Sequence, residues 1–355
     1  MTRTADVAVV GGGIVGLAAA EALVRRGADV VVLERWVPGA GQSAGVARGF
    51  RHLHATPEQI AEAVRARALW DAWSERAGEP LVGEEGALRL GGDVAADVAR
   101  LRAAGVEAEL LERAGDRLAA LASDAGPLLW DPRGGAIRAQ RTIAWLRREL
   151  GDRVLQLAVE SVDTSPRGAV QLGVEGARFI RARRVVLAAG AGLVPLLDAA
   201  SIFRRVIHLR VGFARPVASP PASARSWGAA TWADRSERFG APAYGVADGP
   251  GRFALGLADL DAQPPFDDPS SDTIPPDTDV SAVRERLLAY AAQAFPGLGE
   301  PVDEIVRLLT VLHGDDEDAY RVSPDGKLVL AVGHNLFKLA PLLGERAADA
   351  RQHQL

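Results

Sequence analysis

The order of apolar and polar residues predicts that the chain opens with a strand, a helix and a second strand. Apolar residues 7–10 lead into the glycine-rich residues 11–16, and residues 17–26 have the composition of a helix. Residues 30–33 are again apolar and end at Glu34. Short apolar runs bounded by glycine are typical of buried strands, so this segment predicts a βαβ unit with a glycine turn.

Beyond this unit, the pattern predicts helices mixed with strands up to about residue 200 and antiparallel strands after it. A helix is predicted after Thr56, because Pro57 suits its first position and Gln59 completes a capping box, and it should end at Gly78. The other predicted helical segments are residues 94–117 (broken at Gly105 and Gly115), 139–150, 280–295 and from about 341. The predicted strands are residues 86–91, 154–162, 169–174, 184–187, 204–216, 227–232, 244–259, 307–311 and 328–332, and residues 261–278 should be a surface loop.

The glycine turn predicts a dinucleotide site. Gly11 permits the tight turn, Gly13 lets the backbone approach a pyrophosphate, and Gly16 lets the helix pack closely on the strand. The free N–H groups and the positive end of the helix dipole would face the phosphates. Glu34 stands where it can accept a hydrogen bond from a ribose 2′-hydroxyl. Both NAD and FAD fit this motif.

Composition narrows the classes of protein. The chain has 355 residues, of which 48% are hydrophobic and 25% charged, which suggests two globular domains. A net charge of −5 without a basic tract argues against a nucleic-acid partner. No signal-peptide pattern or apolar stretch of membrane-spanning length is present, so we expect a cytoplasmic protein without a membrane partner. The absence of cysteine excludes disulfides, thiolate metal sites and cysteinyl attachment of a cofactor.

Several segments together resemble one enzyme family. They are the glycine turn with Glu34, residues 42–51, 86–91 and 185–192, and residues 333–341. Residues 42–51 are similar to a Ser-x-x-Gly-x-x-Arg-x-x-Arg segment, and residues 185–192 to a second dinucleotide motif. By these segments the chain resembles the D-amino-acid oxidase and sarcosine oxidase group of FAD-dependent oxidoreductases, most closely the monomeric sarcosine oxidase branch. The resemblance covers nearly the whole length of the chain.

The resemblance implies an α/β fold with two parts. A Rossmann-like FAD-binding domain, with a doubly wound and mostly parallel sheet, would comprise residues 1–82, 139–200 and 306–355. A second α+β substrate domain, built on an antiparallel sheet, would comprise residues 83–138 and 201–305. The implied reaction is oxidation of a C–N bond: a small amine or amino-acid-like substrate gives hydride to non-covalently bound FAD and becomes an imine, and O2 or another acceptor takes the electrons.

The same resemblance implies the residues of the site. Arg51 and Lys338 match a pair that grips a substrate carboxylate, which suits a bidentate guanidinium and a compact ammonium. Lys338 lies in an otherwise apolar segment, where an unpaired buried ammonium would be costly. The expected cofactor-binding residues are Gly11, Gly13, Ile14, Val15, Gly16, Glu34, Arg35, Gln42, Ser43, Arg48, Val159, Ala189, Gly190, Gly333, Asn335, Leu336, Phe337 and Lys338.

The chain departs from the family pattern in residues 252–258. Sarcosine oxidases carry there a lysine that promotes reaction of reduced flavin with O2, and a histidine four residues on, where this chain has Ala254 and Ala258. Arg252 shares one face of the strand with both alanines. A strand whose small residues pack against another element would account for this pattern. If the face is instead turned to the flavin, we expect a pocket for a substrate bulkier than sarcosine, and slow re-oxidation by O2 unless Arg252 or a histidine supplies the missing charge.

The histidines and a tyrosine add further candidates. His313 falls where the family lines its active site, and His54 and Tyr244 are also candidates for the pocket, although an ordinary core or surface position would account for each. The histidine spacing fits no catalytic metal site, so no metal is expected. The candidate catalytic residues are Lys338, Arg51, Arg252, His313 and Tyr244.

Alternative functions stay open. The favoured one is an amine or amino-acid oxidoreductase in a specialised biosynthetic pathway. A second is a flavin-dependent dehydrogenase, desaturase or cyclase with poor O2 reactivity, and a third is a catalytically degenerate flavoprotein with a binding role. The missing lysine favours the second and third over a plain oxidase, whereas Arg51 and Lys338 favour catalysis. An NAD-dependent dehydrogenase would fit the N-terminal motif alone.

Overall fold

The computed structural model describes residues 2–164, 168–197, 203–214, 225–258, 279–312, 319–333 and 335–349. Within them the helices are α1 (Ile14–Arg25), α2 (Pro57–Ala77), α3 (Val94–Ala103), α4 (Ala139–Leu150), α5 (Leu193–Leu197), α6 (Ser281–Ala294) and α7 (Ala340–Asp349). The strands are β1 (Thr2–Val10), β2 (Val30–Glu34), β3 (Ala47–Phe50), β4 (Ala87–Leu90), β5 (Glu109–Leu111), β6 (Leu128–Asp131), β7 (Gly135–Arg138), β8 (Val154–Gln156), β9 (Val159–Asp163), β10 (Val170–Val174), β11 (Arg178–Leu187), β12 (Phe203–Ala214), β13 (Thr231–Asp234), β14 (Ala243–Ala247), β15 (Arg252–Leu257), β16 (Pro301–Leu312), β17 (Ala319–Val322) and β18 (Leu328–Val332). Short 3₁₀ turns cover Gly115–Leu118, Gly151–Arg153, Gly190–Gly192 and Leu336–Leu339.

The first sheet is mostly parallel, as expected for a doubly wound domain. Its strand order is β17-β18-β11-β1-β2-β8, and β10 and β9 extend it from β11. The pairs β1–β2, β1–β11, β11–β18 and β2–β8 are parallel, which leaves β9, β10 and β17 antiparallel. Residues of α1, α2, α4 and α7 share a core with β1 and β2. Because such strands are covered on both faces, their sequences are continuous apolar runs.

The second sheet has the order β16-β12-β15-β14-β13-β4-β6-β5. Its pairs are antiparallel except β13–β4, which is parallel. One face packs on α6, where Trp232 and Phe253 contact Phe295. The opposite face meets β3, because Arg210 of β12 donates from Nη1 to the carbonyl of Ala47 at 3.2 Å. The predicted fold class is therefore confirmed, with one parallel pair inside the second sheet.

Helix α2 begins and ends as the sequence predicts. The backbone N–H of Gln59 donates to Oγ1 of Thr56 at 3.3 Å, and the Gln59 side chain accepts from the Thr56 N–H at 3.3 Å. Gly78 ends the helix with φ 72°, a left-handed conformation that favours glycine. The capping box and the glycine stop are local signals, which is why they could be read without the fold.

Other predicted elements differ in the structure. Residues 94–117 contain only α3 as an α-helix, because Gly105 turns the chain at φ 79° and β5 then joins the sheet edge. Residues 227–232 give only the start of β13, and residues 244–259 form the hairpin β14–β15. Strand β16 pairs with β12 along its length and crosses the predicted boundary at residues 305 and 306, so we propose that the second domain extends to Leu312. The predicted loop at 261–278 lies outside the described residues.

Candidate active site

A cavity of about 860 Å³ lies at the carboxyl ends of β1, β2 and β11, where doubly wound sheets bind their ligands. It runs from Glu34 and Trp36 at one end to Phe337 and Arg307 at the other. Its volume falls in the range of cofactor and ligand pockets. The predicted cofactor-binding residues that line it are Gly11, Gly13, Ile14, Val15, Glu34, Arg35, Gln42, Ser43, Arg48, Val159, Ala189, Gly190, Gly333, Leu336 and Phe337.

The glycine turn closes tightly at the end of β1. Gly11 has φ 103°, and a Cβ there would lie 2.7 Å from Cα of Ala189. A Cβ on Gly16 would overlap the carbonyl oxygen of Gly11, so this glycine lets α1 approach the turn. Gly13 precedes α1 and supplies no side-chain cap. The first helical N–H, that of Ile14, donates to Oγ of Ser43 at 3.0 Å.

Glu34 is fixed at the opposite end of the turn. Its Oε2 accepts from the backbone N–H of Gly12 at 2.6 Å, and Oε1 accepts from that of Trp36 at 2.9 Å. The Arg35 guanidinium lies 4.2 Å from the centre of the Trp36 ring. A helix N-terminus for a diphosphate, a held carboxylate for a ribose and a flat aromatic surface beside it fit the phosphate and adenosine parts of FAD.

At the other end of the cavity, Arg48 organises the loop that precedes β3. Its guanidinium donates to the carbonyls of Ala47 (2.8 Å), Gln42 (2.9 Å) and Ala44 (2.5 Å). It also lies 5.4 Å from the centre of the Phe337 ring. Burial, followed by the charges of nearby arginines, holds the pKa of Arg48 well below its ordinary value. The backbone carbonyls therefore carry the hydrogen bonding that a carboxylate would otherwise supply.

Arg51 and Lys338 come together around His54. Burial, followed by the charges of Lys338, Arg51 and His52, lowers the pKa of His54 to about 2. Lys338 is 6% exposed, and Arg51 is partly buried with a pKa lowered to about 10 by burial and by other arginines. Strand β3, which Arg51 follows directly, packs against the 3₁₀ turn Leu336–Leu339 that contains Lys338, so the segments that carry the two cations are neighbours. His54 is neutral there, and its buried Nε2 has no hydrogen-bond partner among the described residues.

The backbone after β3 is fixed by a contact that the sequence did not reveal. Asp131 accepts from Nδ1 of His52 at 2.9 Å and from the His52 backbone N–H at 2.9 Å. The same carboxylate accepts from the N–H groups of Gly134 (3.0 Å) and Arg133 (3.2 Å). The pair is buried, so it holds residues 51–54 in one conformation. Asp131 ends an apolar strand far from His52 in sequence, and no local signal links the two.

The face of the second sheet that meets β3 carries Tyr244. Its hydroxyl lies 2.7 Å from Nε2 of His208, and the two rings are stacked with centroids 5.4 Å apart. Nε of Arg210 donates to the same hydroxyl at 3.5 Å. A Cβ on Gly256 would overlap the Tyr244 ring, so this glycine makes room for it. His208 and Arg210 were missed by sequence reasoning, because only strand register brings them to Tyr244.

Arg252 is placed differently from the expectation. Its guanidinium forms a bidentate pair with Asp303 at 2.5 and 2.7 Å, and it is absent from the described lining of the cofactor cavity. Because Asp303 compensates its charge, Arg252 is not part of the site proposed below. Ala254 is 1% exposed and pairs with Gly212 and Val246 on the neighbouring strands.

The remaining predictions concern residues and ligands elsewhere. His313 lies outside the described residues. Asn335 and Lys338 adjoin the cavity in sequence without lining it. Among the residues that the structure describes, no group of three or more His, Asp and Glu side chains could hold a metal ion. Nor does that part of the chain contain a helix long and apolar enough to cross a membrane.

A flavoprotein oxidoreductase is the class of protein that this fold and cavity define. Residues 6–350 match the model of the FAD dependent oxidoreductase family, so the chain belongs to that family and its cofactor is FAD. The predicted family and cofactor are thereby confirmed. No curated protein matches the chain.

Solved structures share the fold over almost the whole chain. One is NikD, described as an unusual amino acid oxidase essential for nikkomycin biosynthesis: 23% identity, 98% of this chain and 94% of that one covered, TM-score 0.79. Another is glycine oxidase from Geobacillus kaustophilus: 22% identity, 99% and 96% covered, TM-score 0.78. Iminodiacetate oxidase from Chelativorans sp. BNC1 has 18% identity, with 98% and 96% covered and a TM-score of 0.76. At these identities the likeness establishes the fold.

Proposed function

We propose that the protein oxidises the C–N bond of an amine or amino acid whose carboxylate is held by Arg51 and Lys338. The observation that carries this proposal is that β3, which Arg51 follows directly, packs against the turn Leu336–Leu339, which contains Lys338. Burial, followed by the charges of Arg235 and Arg89, lowers the pKa of Arg51, and no hydrogen bond or ion pair of Arg51 occurs within the described residues. A desolvated guanidinium is stabilised by an anion, and a carboxylate matches its fork.

The position of this pair relative to the cavity supports a redox role. Lys338 directly follows Phe337, which lines the end of the cavity opposite Glu34 and lies beside Arg48. FAD would supply a two-electron acceptor there, held by the residues that line the cavity. Arg51 and Lys338 would orient the substrate by its carboxylate, and the neutral His54 could accept a hydrogen bond from the amine. With no cysteine in the chain, the cofactor would be bound without a thioether link.

The pocket should admit a substrate bulkier than sarcosine. The second-sheet face between Tyr244 and Arg89 carries the small residue Ala233, and Ala254 lies on the same face. Alanine takes up less space on this face than the lysine that the family resemblance predicts at position 254. The three neighbouring structures named above support the reaction class by the names of their enzymes, and a biosynthetic role, as printed for NikD, is part of the proposal.

Anaerobic titration tests the proposed reaction. The purified holoenzyme should lose its oxidised flavin absorbance when an amine or amino acid substrate is added without O2. Arg51→Met and Lys338→Met should each need a higher concentration of the same substrate, because each removes one cation from the carboxylate site. If no amine or amino acid from a broad panel bleaches the flavin, a binding protein that has lost catalysis becomes the better description.

A second candidate function differs in the electron acceptor. Ala254 replaces the expected lysine and Arg252 is compensated by Asp303, which favours a dehydrogenase, desaturase or cyclase that reacts slowly with O2. Stopped-flow mixing of photoreduced enzyme with O2 separates the two. Slow re-oxidation that Ala254→Lys accelerates supports the second candidate. Fast re-oxidation supports an oxidase. If Arg210→Met then re-oxidises slowly, Arg210 supplies the positive charge that promotes the reaction of reduced flavin with O2.

A further inference from the structure

The second sheet carries a guanidinium at each end of one row of residues. Strand register aligns Arg210, Gly256, Tyr244, Ala233 and Arg89 side by side across five strands. Neighbouring strands lie about 4.8 Å apart, so the four steps of this row span about 19 Å. At one end Arg89 pairs with Asp97 at 3.3 Å. The Arg210 end is joined to the proposed carboxylate site by β3, because its first residue, Ala47, accepts from Arg210 and Arg51 follows its last. The proposed function assigns no substrate group to the Arg210 end.

Two arginines meet at that second end. Arg210 of β12 is 4% exposed and donates to the carbonyl of Ala47 and to the Tyr244 hydroxyl. Arg307 of β16 lies opposite His208, on the same face, and also lines the cofactor cavity. Within the described ranges Arg307 has no hydrogen bond or ion pair, and burial followed by the charge of Arg210 lowers its pKa to about 10. The Arg307 guanidinium is therefore desolvated without a protein acceptor.

Within the described residues, one carboxylate faces this group of arginines. In the described structure, Asp248 is the carboxylate that acts on Arg48, Arg210 and Arg307 alike. Asp248 is 3% exposed, its Oδ1 has no hydrogen-bond partner there, and its Oδ2 lies 3.8 Å from Arg252. Among the described residues, this carboxylate thus serves Arg48, Arg210 and Arg307 in addition to Arg252. Buried charge is costly unless it is paired, so this end of the row suits an anion from outside the chain.

We propose that Arg210 and Arg307 bind a second acidic group of the substrate. The substrate would then be an amine or amino acid with two acidic groups, one held by Arg51 and Lys338 and the other by Arg210 and Arg307. Its amine carbon would lie between them, over the small residues that flank Tyr244. This inference rests on the proposed function and narrows its substrate class.

Binding of unreactive acids to the holoenzyme tests the second site. Adipate and hexanoate have the same chain length and differ by one carboxylate, and the flavin absorption band reports their binding. The wild-type protein should bind adipate about tenfold more tightly than hexanoate or better, the effect of a hydrogen bond to a charged group. Arg210→Met and Arg307→Met should each remove that preference and leave hexanoate binding unchanged. Glutarate with pentanoate repeats the comparison at a shorter length.

Controls separate this inference from the proposed function. Arg284→Met removes a guanidinium that pairs with Glu304 on the opposite face of the sheet, and it should keep the preference for adipate. Arg51→Met should weaken adipate and hexanoate alike. Equal binding of the two acids by the wild type, or a preference that survives in both Arg210→Met and Arg307→Met, would overturn the second site alone. If those variants instead weaken the binding of both acids equally, the arginines serve the flavin. If the wild-type protein binds none of these acids, the proposed function is overturned as well.

Discussion

Replacing Arg51 with methionine should change ligand binding and stability in opposite directions. The guanidinium is desolvated, and its pKa is lowered to about 10 by burial and by the like charges of Arg235 and Arg89. The described residues offer it no ion pair. A side chain held in such surroundings destabilises the free protein, and only an anionic ligand would recover that cost.

The expected magnitudes follow from this environment. A hydrogen bond to a charged group contributes about 1.5–3 kcal/mol, so a carboxylate should bind Arg51→Met about 10–150-fold more weakly. Methionine keeps most of the side-chain volume and removes the uncompensated charge. The free energy of unfolding should therefore stay unchanged or rise by up to about 2 kcal/mol.

The assay combines a ligand titration followed by the flavin absorbance with urea unfolding of the same preparations. Arg67→Met is the matched control, because Arg67 donates to the carbonyl of Arg133 at 2.9 Å and pairs with Asp71. That variant should lose stability and keep its carboxylate affinity. The reasoning is refuted if Arg51→Met loses stability as Arg67→Met does while binding carboxylates normally, since Arg51 would then serve the fold.

Three further predictions concern the cofactor turn and the carboxylate site. Gly11→Ala should weaken FAD binding about 5–150-fold, because a Cβ there would lie 2.7 Å from Cα of Ala189 and would displace the turn, at a cost of about 1–3 kcal/mol. Gly27→Ala has a similar backbone strain at φ 80° but open space around it, so it should retain FAD in the same titration. Carboxylate binding should weaken as the pH rises through about 10, where Arg51 loses its proton, and a dissociation constant that shows no such step would contradict this. Lys338→Met should raise the pKa of His54 from about 2 in an NMR titration, because one of the charges that lowers it is removed; an unchanged value would place the ammonium elsewhere.

Local sequence predicted the cofactor half of the site more completely than the substrate half. Residues 7–34 contain the strand, turn, helix and acid of the dinucleotide site within one short segment, and each of these features is encoded by neighbouring residues. Arg51 and Lys338 came from family resemblance, and in the structure the strand before Arg51 packs against the turn that contains Lys338. Arg252 was favoured from strand alternation alone, which cannot reveal that Asp303 of a neighbouring strand compensates it.

Register explains what sequence could not provide. Alternation within β12 and β14 shows which residues share a face, but it does not show which residue of one strand stands beside which residue of the next. Arg210 lies beside Gly256, and Gly256 beside Tyr244, only because these strands pair in one particular alignment. The parallel pair β13–β4 likewise joins segments that are far apart in the chain.

Residues close together in the chain suffice to specify the opening βαβ unit and the capped helix after Thr56, and they supply the side chains available to the site. Which cations the described residues compensate is known only from the folded chain. That distinction depends on burial and on pairing between distant strands, and a linear pattern contains neither.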